Sequence, residues 1–368
     1  MNRENHKIGS RILVIPNSIY STLVIYENFR QVKNTNINVD ILFIDTTNNF
    51  VRDLTLNLLS LIPNITVKKL QTELQTIQIT KFIETRRYRK EFIKNNSDKV
   101  KSSMYDEILS ANPYILGLLL RYHKRKKIRI VAHGLSDLIK EKNPIKNLLI
   151  KFYGEIEQSI FGFSINQRFF IKRILLSKQQ TDEPLNVWSY AVTKSLTLDL
   201  VKPTVILLLP HILRVSKENY IQRILNKLDE LGIKNENIYC KSHPSIAVDS
   251  PLYDNDKIVE DLNKIESQTN KFVNLHQKNN LEMYLSESTK ILVGELSTSM
   301  LSCAYLIPST KIVLMNFTDI FENSISEIKK NKSITRGELI KINNILQEFK
   351  FLYKSFNKSK ELKRGIDC

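Results

Sequence analysis

The chain has 368 residues, of which 42% are hydrophobic and 25% are charged, a composition typical of a folded protein and not of a disordered one. Its length is more than one hydrophobic core usually organises, which favours two domains. The formal net charge of +17 indicates an anionic partner, which could be a polyanion, an anionic membrane surface or an acidic substrate.

The cysteines and the amino terminus suggest where the protein works. Cys240, Cys303 and Cys368 are far apart and form no CxxC pair, which argues against a disulfide framework and favours a reducing compartment. The apolar run at residues 11–16 is too short for a signal peptide or a membrane span. We therefore expect a cytoplasmic protein.

The first half of the chain alternates short apolar runs with helix-period segments. The pattern predicts strands at residues 12–15, 39–45, 65–67 and 128–131, and helices at residues 20–32, 54–61, 80–94 and 105–109. Such alternation is typical of a doubly wound parallel sheet. No GxGxxG fingerprint follows the first strands, so this domain is not expected to bind NAD.

The second half repeats the pattern. It predicts strands at residues 204–209, 238–240, 272–275, 290–295 and 311–315, and helices at residues 217–231, 256–267 and 280–287, with an apolar helix opening at 296–299. Gly232 suits the C-cap of the helix before it. The fold expected is therefore α/β, with two doubly wound Rossmann-like domains facing a cleft.

The expected domain boundaries follow from this repetition. Residues 1–195 would form the first domain and residues 196–322 the second, with the only tryptophan, Trp188, near their junction. Residues 323–368 alternate lysines with apolar side chains and predict basic amphipathic helices. These helices could contact a membrane surface or pack across the first domain.

Three histidines follow predicted strands directly, at the carboxyl edge where ligands of open α/β sheets collect. They are His133, His211 and His243. Pro244 stops its strand and places His243 at a rigid corner, and Gly134 allows a close backbone approach beside His133. Each histidine is also consistent with an ordinary turn, and Ser136 or Asp137 after His133 could simply cap a helix.

Two further features could bind anions. Glu295, Leu296, Ser297, Thr298 and Ser299 lead from a strand into a helix, where hydroxyls and free backbone N–H groups form an anion site. Ser297 or Thr298 could equally be only the N-cap.

Arginines and lysines cluster in the first half. The clusters are Arg86, Arg87, Arg89 and Lys90, and residues 121–127. Either cluster could form an anion-binding rim, and the first could equally be only a solvated helix face.

The order of these motifs resembles a known family. His243-Pro244 followed by Ser297-Thr298-Ser299 is similar to the paired motifs of bacterial sialyltransferases and polysialyltransferases, which use CMP-sialic acid and have the glycosyltransferase-B architecture. Those enzymes carry an acidic base motif in the first half, where this chain reads Ala132-His133-Gly134. The His-Gly, His-Pro and Ser-Ser order also resembles the CDP-glycerol glycerophosphotransferases of teichoic acid synthesis.

The resemblance implies a role for each motif residue. His133 would be the general base and His243 would stabilise the departing CMP. The donor nucleotide site implied by the resemblance comprises Lys241, His243, Pro244, Glu295, Ser297, Thr298, Ser299 and His211. The acceptor site implied comprises Gly134, Asp137, Arg86, Arg87 and Arg89.

The activity implied is that of an inverting, metal-independent glycosyltransferase that needs no cofactor besides its CMP-activated sugar. Its acceptor would be an acidic glycan or glycolipid, at the inner face of the cell membrane. The triplet Asp254-Asn255-Asp256 has the DxD form of a metal site but lies in a polar stretch, and it is expected to begin a helix.

Two alternatives stay open. The donor could be CMP-Kdo or CDP-glycerol instead of CMP-sialic acid. The chain could also be a basic protein that binds nucleic acid or an anionic membrane without chemistry, although it has no recognised nucleic-acid module and no stacking platform of aromatics among its lysines. We therefore do not expect a nucleic-acid partner.

Overall fold

The structure is a computed structural model that describes residues 9–32, 36–75, 86–101, 104–132, 152, 173–174, 183–196, 200–209, 217–242, 255–276, 279–294, 297–307 and 309–315. The chain divides into two compact units. The N-terminal unit comprises Met1–Lys178 and Tyr190–Thr197, and the C-terminal unit comprises Gln179–Ser189 and Leu198–Cys368.

A six-stranded parallel sheet organises the N-terminal unit. Its strands are β1 (Ser10–Ile15), β2 (Ile37–Ile41), β3 (Ile65–Lys69), β4 (Glu107–Ser110), β5 (Ile128–Val131) and β6 (Arg173–Ile174). They lie in the order β3-β2-β1-β4-β5-β6, and Ile12 of β1 pairs with Val39 on one side and Glu107 on the other. The strands that follow β1 in the chain are thus added first on one side of it and then, from β4 onward, on the other side. The boundary between β1 and β4 is the topological switch point of a doubly wound fold.

Helices connect these strands. They are α1 (Ile19–Arg30), α2 (Asn49–Ser60), α3 (Arg86–Val100) and α4 (Pro113–Tyr122), with a 3₁₀ turn at Arg125–Lys127. Ser18 begins α1 through a capping box with Ser21, and the Asn48 side chain begins α2 by accepting the Val51 N–H at 2.8 Å.

A five-stranded parallel sheet organises the C-terminal unit. Its strands are β7 (Val205–Leu208), β8 (Asn237–Lys241), β9 (Lys271–Asn274), β10 (Ile291–Gly294) and β11 (Lys311–Leu314), in the order β11-β10-β7-β8-β9. The switch point of this sheet lies between β7 and β10. Burial of all four β7 residues fits a central parallel strand.

The helices of this half are α5 (Glu183–Ser195), α6 (Lys217–Glu230), α7 (Asn255–Asn263) and α8 (Thr298–Leu306), with a 3₁₀ turn at Leu281–Met283. Helix α5 contributes its first residues to the C-terminal unit and its last to the N-terminal unit. After α6, Gly232 adopts a left-handed φ of 67°, as expected of a C-cap glycine.

The two sheets confirm the predicted fold class, since each unit is a doubly wound, Rossmann-like α/β fold. In the part of the chain that is described, no helix is both long and apolar enough to cross a membrane. The expected basic helices at residues 323–368 lie outside the described residues.

Three helix predictions need correction. Residues 105–109 are not helical, because Glu107–Ser110 forms β4 between β1 and β5, and a run this short has no period that separates strand from helix. The helix predicted at 256–267 ends at Asn263, whose side chain instead exchanges hydrogen bonds of 2.9 Å with the Phe272 backbone of β9.

The helix predicted at residues 280–287 is also wrong. Only Leu281–Met283 forms a single 3₁₀ turn. Beyond it, the Thr289 N–H donates to the Ser286 carbonyl at 2.9 Å and the Thr289 hydroxyl accepts the Ser286 N–H at 3.3 Å. Local bonds of this kind compete with a helix and turn the chain toward β10.

Candidate functional site

Strand ends at the switch point of the C-terminal sheet form the candidate site. Leu208 ends β7 and pairs with Lys241 at the end of β8 on one side and with Gly294 at the end of β10 on the other. Because all strands are parallel, these three residues lie side by side at the carboxyl edge. We call this edge, with Ser242, Glu282 and the first turns of α8, the C-terminal edge site.

Gly294 allows β10 to end close to β7. Its φ is +153°, and a Cβ placed on it would lie 2.6 Å from both the Cβ and the carbonyl oxygen of Leu208. Any side chain at this position would collide with the backbone of the central strand. The sequence requires glycine here so that the chain can leave the sheet and enter α8.

Helix α8 begins at this edge with Ser297 as its N-cap. The Ser297 backbone is extended, and its hydroxyl accepts the Ser299 N–H at 3.2 Å. Ser297 is therefore the N-cap of α8, which was one of the two roles expected for this stretch from the sequence. Capping does not exclude an anion, since the other N–H groups of a first turn still point out of the helix.

Lys241 is unusual because it is a lysine at a buried position. The residue is 3% exposed, and its ammonium donates to the Ser242 carbonyl at 2.8 Å. Burial lowers the Lys241 pKa to about 8, and the nearby Glu282 carboxyl opposes that shift. The ammonium is therefore still mostly protonated at neutral pH, in surroundings where its charge acts strongly.

Glu282 lies in the 3₁₀ turn and is buried as well. Burial raises its pKa, while its own backbone, the Ser302 and Ser299 hydroxyls and the Lys241 charge lower it. Among the described residues the buried Ser302 hydroxyl has no hydrogen-bond partner, and burial is the largest influence on the Glu282 pKa. The carboxyl is thus shifted toward its neutral form.

Trp188 fixes the turn that carries Glu282. Its indole N–H donates to the Glu282 carbonyl oxygen at 3.0 Å, and the side chain is buried. The two cysteines of this unit that are described, Cys240 and Cys303, are buried too, and burial raises the pKa of each thiol to about 12. They are therefore unreactive core residues at neutral pH.

The structure brings part of the predicted donor site together. Lys241 and the run Ser297, Thr298 and Ser299 lie at one sheet edge, on opposite sides of β7. The other predicted residues lie outside the described part of the chain: His133, Gly134, Asp137, His211, His243, Pro244 and Glu295. Arg86, Arg87 and Arg89 lie in the first turn of α3, and the structure describes their backbone but not their side chains.

Glu282 and Gly294 were not assigned a role from the sequence. A signal for Glu282 exists, because it is the single charge in the run Leu281-Glu282-Met283-Tyr284-Leu285, which is otherwise apolar except for one phenol. All five of these residues are buried. An isolated carboxyl in an apolar run therefore indicates a buried ionisable group.

The carboxyl edge of the N-terminal sheet carries a different feature. A cavity of about 460 Å³ is lined by Asp45, Thr72, Glu73, Gln75 and Lys99. We call it the N-terminal edge pocket. The five lining residues are all polar or charged, and Asp45, Thr72 and Gln75 are exposed.

Arg52 holds the wall of that pocket. Its guanidinium forms an ion pair with Glu73 and donates to the carbonyls of Thr47 at 2.7 Å and Ile44 at 3.0 Å. The Lys99 ammonium donates to the Glu73 carbonyl at 2.5 Å. The hydrogen bond from Arg52 lowers the Glu73 pKa, so the carboxylate stays ionised.

Comparisons with known proteins give structural likeness alone. No protein-family model and no curated protein matches the chain. The heptosyltransferase WaaC of E. coli with ADP is 12% identical, with 88% of this chain and 98% of that chain covered and a TM-score of 0.38. The ADP-heptose lps heptosyltransferase II of E. coli is 14% identical, with coverages of 83% and 84% and a TM-score of 0.38.

A UDP-glucosyltransferase from Polygonum tinctorium is 10% identical, with 98% of this chain and 94% of that chain covered and a TM-score of 0.40. All three similar structures are sugar transferases by name. Identity and TM-score are low in each case, so the fold class is assigned from the strand order of the two units.

Proposed function

We propose that the chain is a glycosyltransferase that takes its sugar from a cytidine-monophosphate donor, with CMP-sialic acid as the first candidate. The supporting observation is that one sheet edge carries residues of both donor motifs. Lys241 and Ser242 directly precede His243 and Pro244, and Ser297 begins α8 on the other side of β7. Ligands of doubly wound sheets bind at this kind of switch point.

The chemistry of this edge suits a departing phosphate. The Lys241 ammonium and the first-turn N–H groups of α8 supply positive potential, and His243 is proposed to add a further donor. The bond between the anomeric carbon and the phosphate oxygen breaks, and its electron pair leaves with CMP. Groups already positioned for that developing charge lower the barrier most.

The acceptor side is proposed from the motif alone. His133 takes the proton of the acceptor hydroxyl, whose oxygen then bonds to the anomeric carbon with inversion. Gly134, Asp137, Arg86, Arg87 and Arg89 are the proposed contacts to an acidic glycan or glycolipid. Peripheral contact with an anionic membrane surface, through the basic residues 323–368, would bring the enzyme to such an acceptor.

A second candidate is transfer from CMP-Kdo or CDP-glycerol. The specific observation behind it is that Ala132-His133-Gly134 replaces the acidic base motif of the sialyltransferases. The buried Lys241 would serve the phosphate of any of these cytidine donors equally well.

The test is a donor panel. The full chain is incubated with CMP-sialic acid, CMP-Kdo or CDP-glycerol and a sialylated or polyol-phosphate acceptor, and released CMP is measured. CMP should also raise the melting temperature, because it binds only the folded state. Turnover with CDP-glycerol alone would select the second candidate. Absence of turnover and of any CMP effect, with salt-dependent binding to duplex DNA or anionic vesicles, would select a binding protein.

A further inference from the structure

Glu282 is out of place for a residue that only fills the core. It is 5% exposed, and burial of an ionisable carboxyl is unfavourable unless other groups compensate. An apolar side chain would fill the same 3₁₀ turn at no such cost. The turn itself does not need the carboxyl, because its hydrogen bonds are made by the backbone.

The surroundings of Glu282 indicate what the carboxyl does. Its carboxyl lies close enough to Lys241, at the end of β8, and to the hydroxyls of Ser299 and Ser302, in the first two turns of α8, to be influenced by all three. Trp188 of α5 holds its backbone carbonyl at 3.0 Å. One side chain thus connects the buried ammonium to the helix start, the two parts of the site that lie on opposite sides of β7.

We propose that Glu282 is a positioning residue of the donor site, which holds the Lys241 ammonium and the first turn of α8 in register to bind one phosphate group. This inference rests on the proposed function for the identity of the phosphate as that of the donor. In metal sites, groups behind the direct ligands fix their orientation, and their loss weakens binding about 10–100-fold, so we expect a loss of similar size at this phosphate site.

The protonation of Glu282 suits this role. A carboxylate beside Lys241 would cancel its charge, whereas a neutral carboxylic acid leaves that charge to the incoming phosphate. Burial raises the Glu282 pKa and so shifts the carboxyl toward that form. Glutamine keeps the shape of the side chain and its hydrogen-bonding atoms, so Glu282→Gln should preserve the positioning, whereas Glu282→Ala removes it.

The experiment is calorimetric titration of the full chain with CMP and, in parallel, with inorganic phosphate. Glu282→Ala should weaken CMP binding about 10–100-fold, and Glu282→Gln should stay within about threefold of wild type. Glu27→Ala is the matched control, since Glu27 is a buried carboxyl of the N-terminal unit paired with Arg30 at 2.9 Å. It should lower the melting temperature and leave CMP affinity unchanged.

A double-mutant cycle distinguishes a positioning role of Glu282 from a purely structural one. Glu282→Ala in a Lys241→Met background should cost less CMP affinity than in the wild-type background, because the positioned group is gone. Additive losses overturn the proposal, as does wild-type affinity in Glu282→Ala. If Glu282→Ala does not fold, Glu282→Met keeps the volume and carries the same comparison.

The proposed function can fail separately. Phosphate binding without CMP binding would contradict a cytidine donor, and the Glu282 comparison would then be made with phosphate, where a loss in Glu282→Ala still supports positioning. Binding of neither anion overturns both proposals.

Discussion

The two sheets share one topology but treat charge at their carboxyl edges in opposite ways. At the N-terminal edge, Arg52, Glu73 and Lys99 bond to one another and to backbone carbonyls around an open, polar pocket. There the hydrogen bond between Arg52 and Glu73 shifts both pKa values toward the charged forms. At the C-terminal edge, burial shifts the pKa values of Lys241 and Glu282 toward the neutral forms.

Two sheets with the same strand order can therefore carry ionisable groups in very different surroundings. Charges in a buried setting interact more strongly than charges in water, and they cost more to keep. A desolvated ammonium such as that of Lys241 therefore suits a phosphate. The following changes should alter one edge and spare the other.

The largest effect is expected from the histidines. His243→Ala and His133→Ala should each lower the rate of transfer about 10²–10⁴-fold, because in the proposed mechanism each histidine moves or stabilises charge in the transition state. Released CMP measures the rate, and an unchanged melting temperature shows that folding is intact. A variant with a near-normal rate would remove that histidine from the mechanism.

Gly294→Ala should come next, with a loss of about 2–5 kcal/mol in the free energy of unfolding, from overpacking and an unfavourable φ together. The reason is the collision of the new Cβ with Leu208 at 2.6 Å. Gly232→Ala is the matched control, because Gly232 also has a positive φ but no atom within 4 Å of a new Cβ. Urea unfolding compares them, and equal losses would mean that the close approach of β10 to β7 is unimportant.

Lys241→Met should weaken CMP binding about 10–100-fold, the value of a charge-assisted hydrogen bond of about 1.5–3 kcal/mol. The Lys241 pKa of about 8 also predicts that wild-type affinity falls as pH rises through 8, where the ammonium loses its proton. Calorimetry at a series of pH values measures both effects.

The free energy of unfolding should rise with pH above 8, where CMP affinity falls. Because the pKa of Lys241 is lowered in the folded protein, the unfolded chain binds more protons between pH 8 and 10.5, and stability rises with pH there. Lys241→Met should remove this contribution. If affinity does not depend on pH, the ammonium is not a ligand of the phosphate.

The smallest effect is expected at the other edge. Arg52→Met should lower the free energy of unfolding by about 1–2 kcal/mol, because the carbonyls of Thr47 and Ile44 lose their donor. CMP affinity should not change. Thermal unfolding and calorimetry on the same sample measure the two quantities, and a loss of CMP affinity would show that the edges do not act independently.

The sequence predicts the fold class better than it predicts the site. Alternating apolar runs give most strands, because a fully buried parallel strand is apolar along its whole length. The same rule misassigns residues 105–109, since Ile108 and Leu109 of β4 are fully buried in a run too short to show a period. Lys241 and Ser297 could be placed because a strand end and a helix start are local features.

Gly294 and Glu282 could not be assigned because their roles depend on distant parts of the chain. The need for glycine at 294 appears only when β10 pairs with β7 and meets Leu208. The part played by Glu282 depends on Lys241, Ser299 and Ser302 converging on one turn. Arg52 is similar, since its partner Glu73 follows another strand. Packing decides these roles.

Trp188 gives the C-terminal edge a built-in optical reporter. It is the only tryptophan in the chain, it is 1% exposed, and its indole N–H bonds to the backbone of the turn that carries Glu282. All tryptophan fluorescence from this protein therefore originates beside the candidate site. Ligand capture that tightens or shifts this turn should change the emission without any label, and stopped-flow recording could then time the event directly.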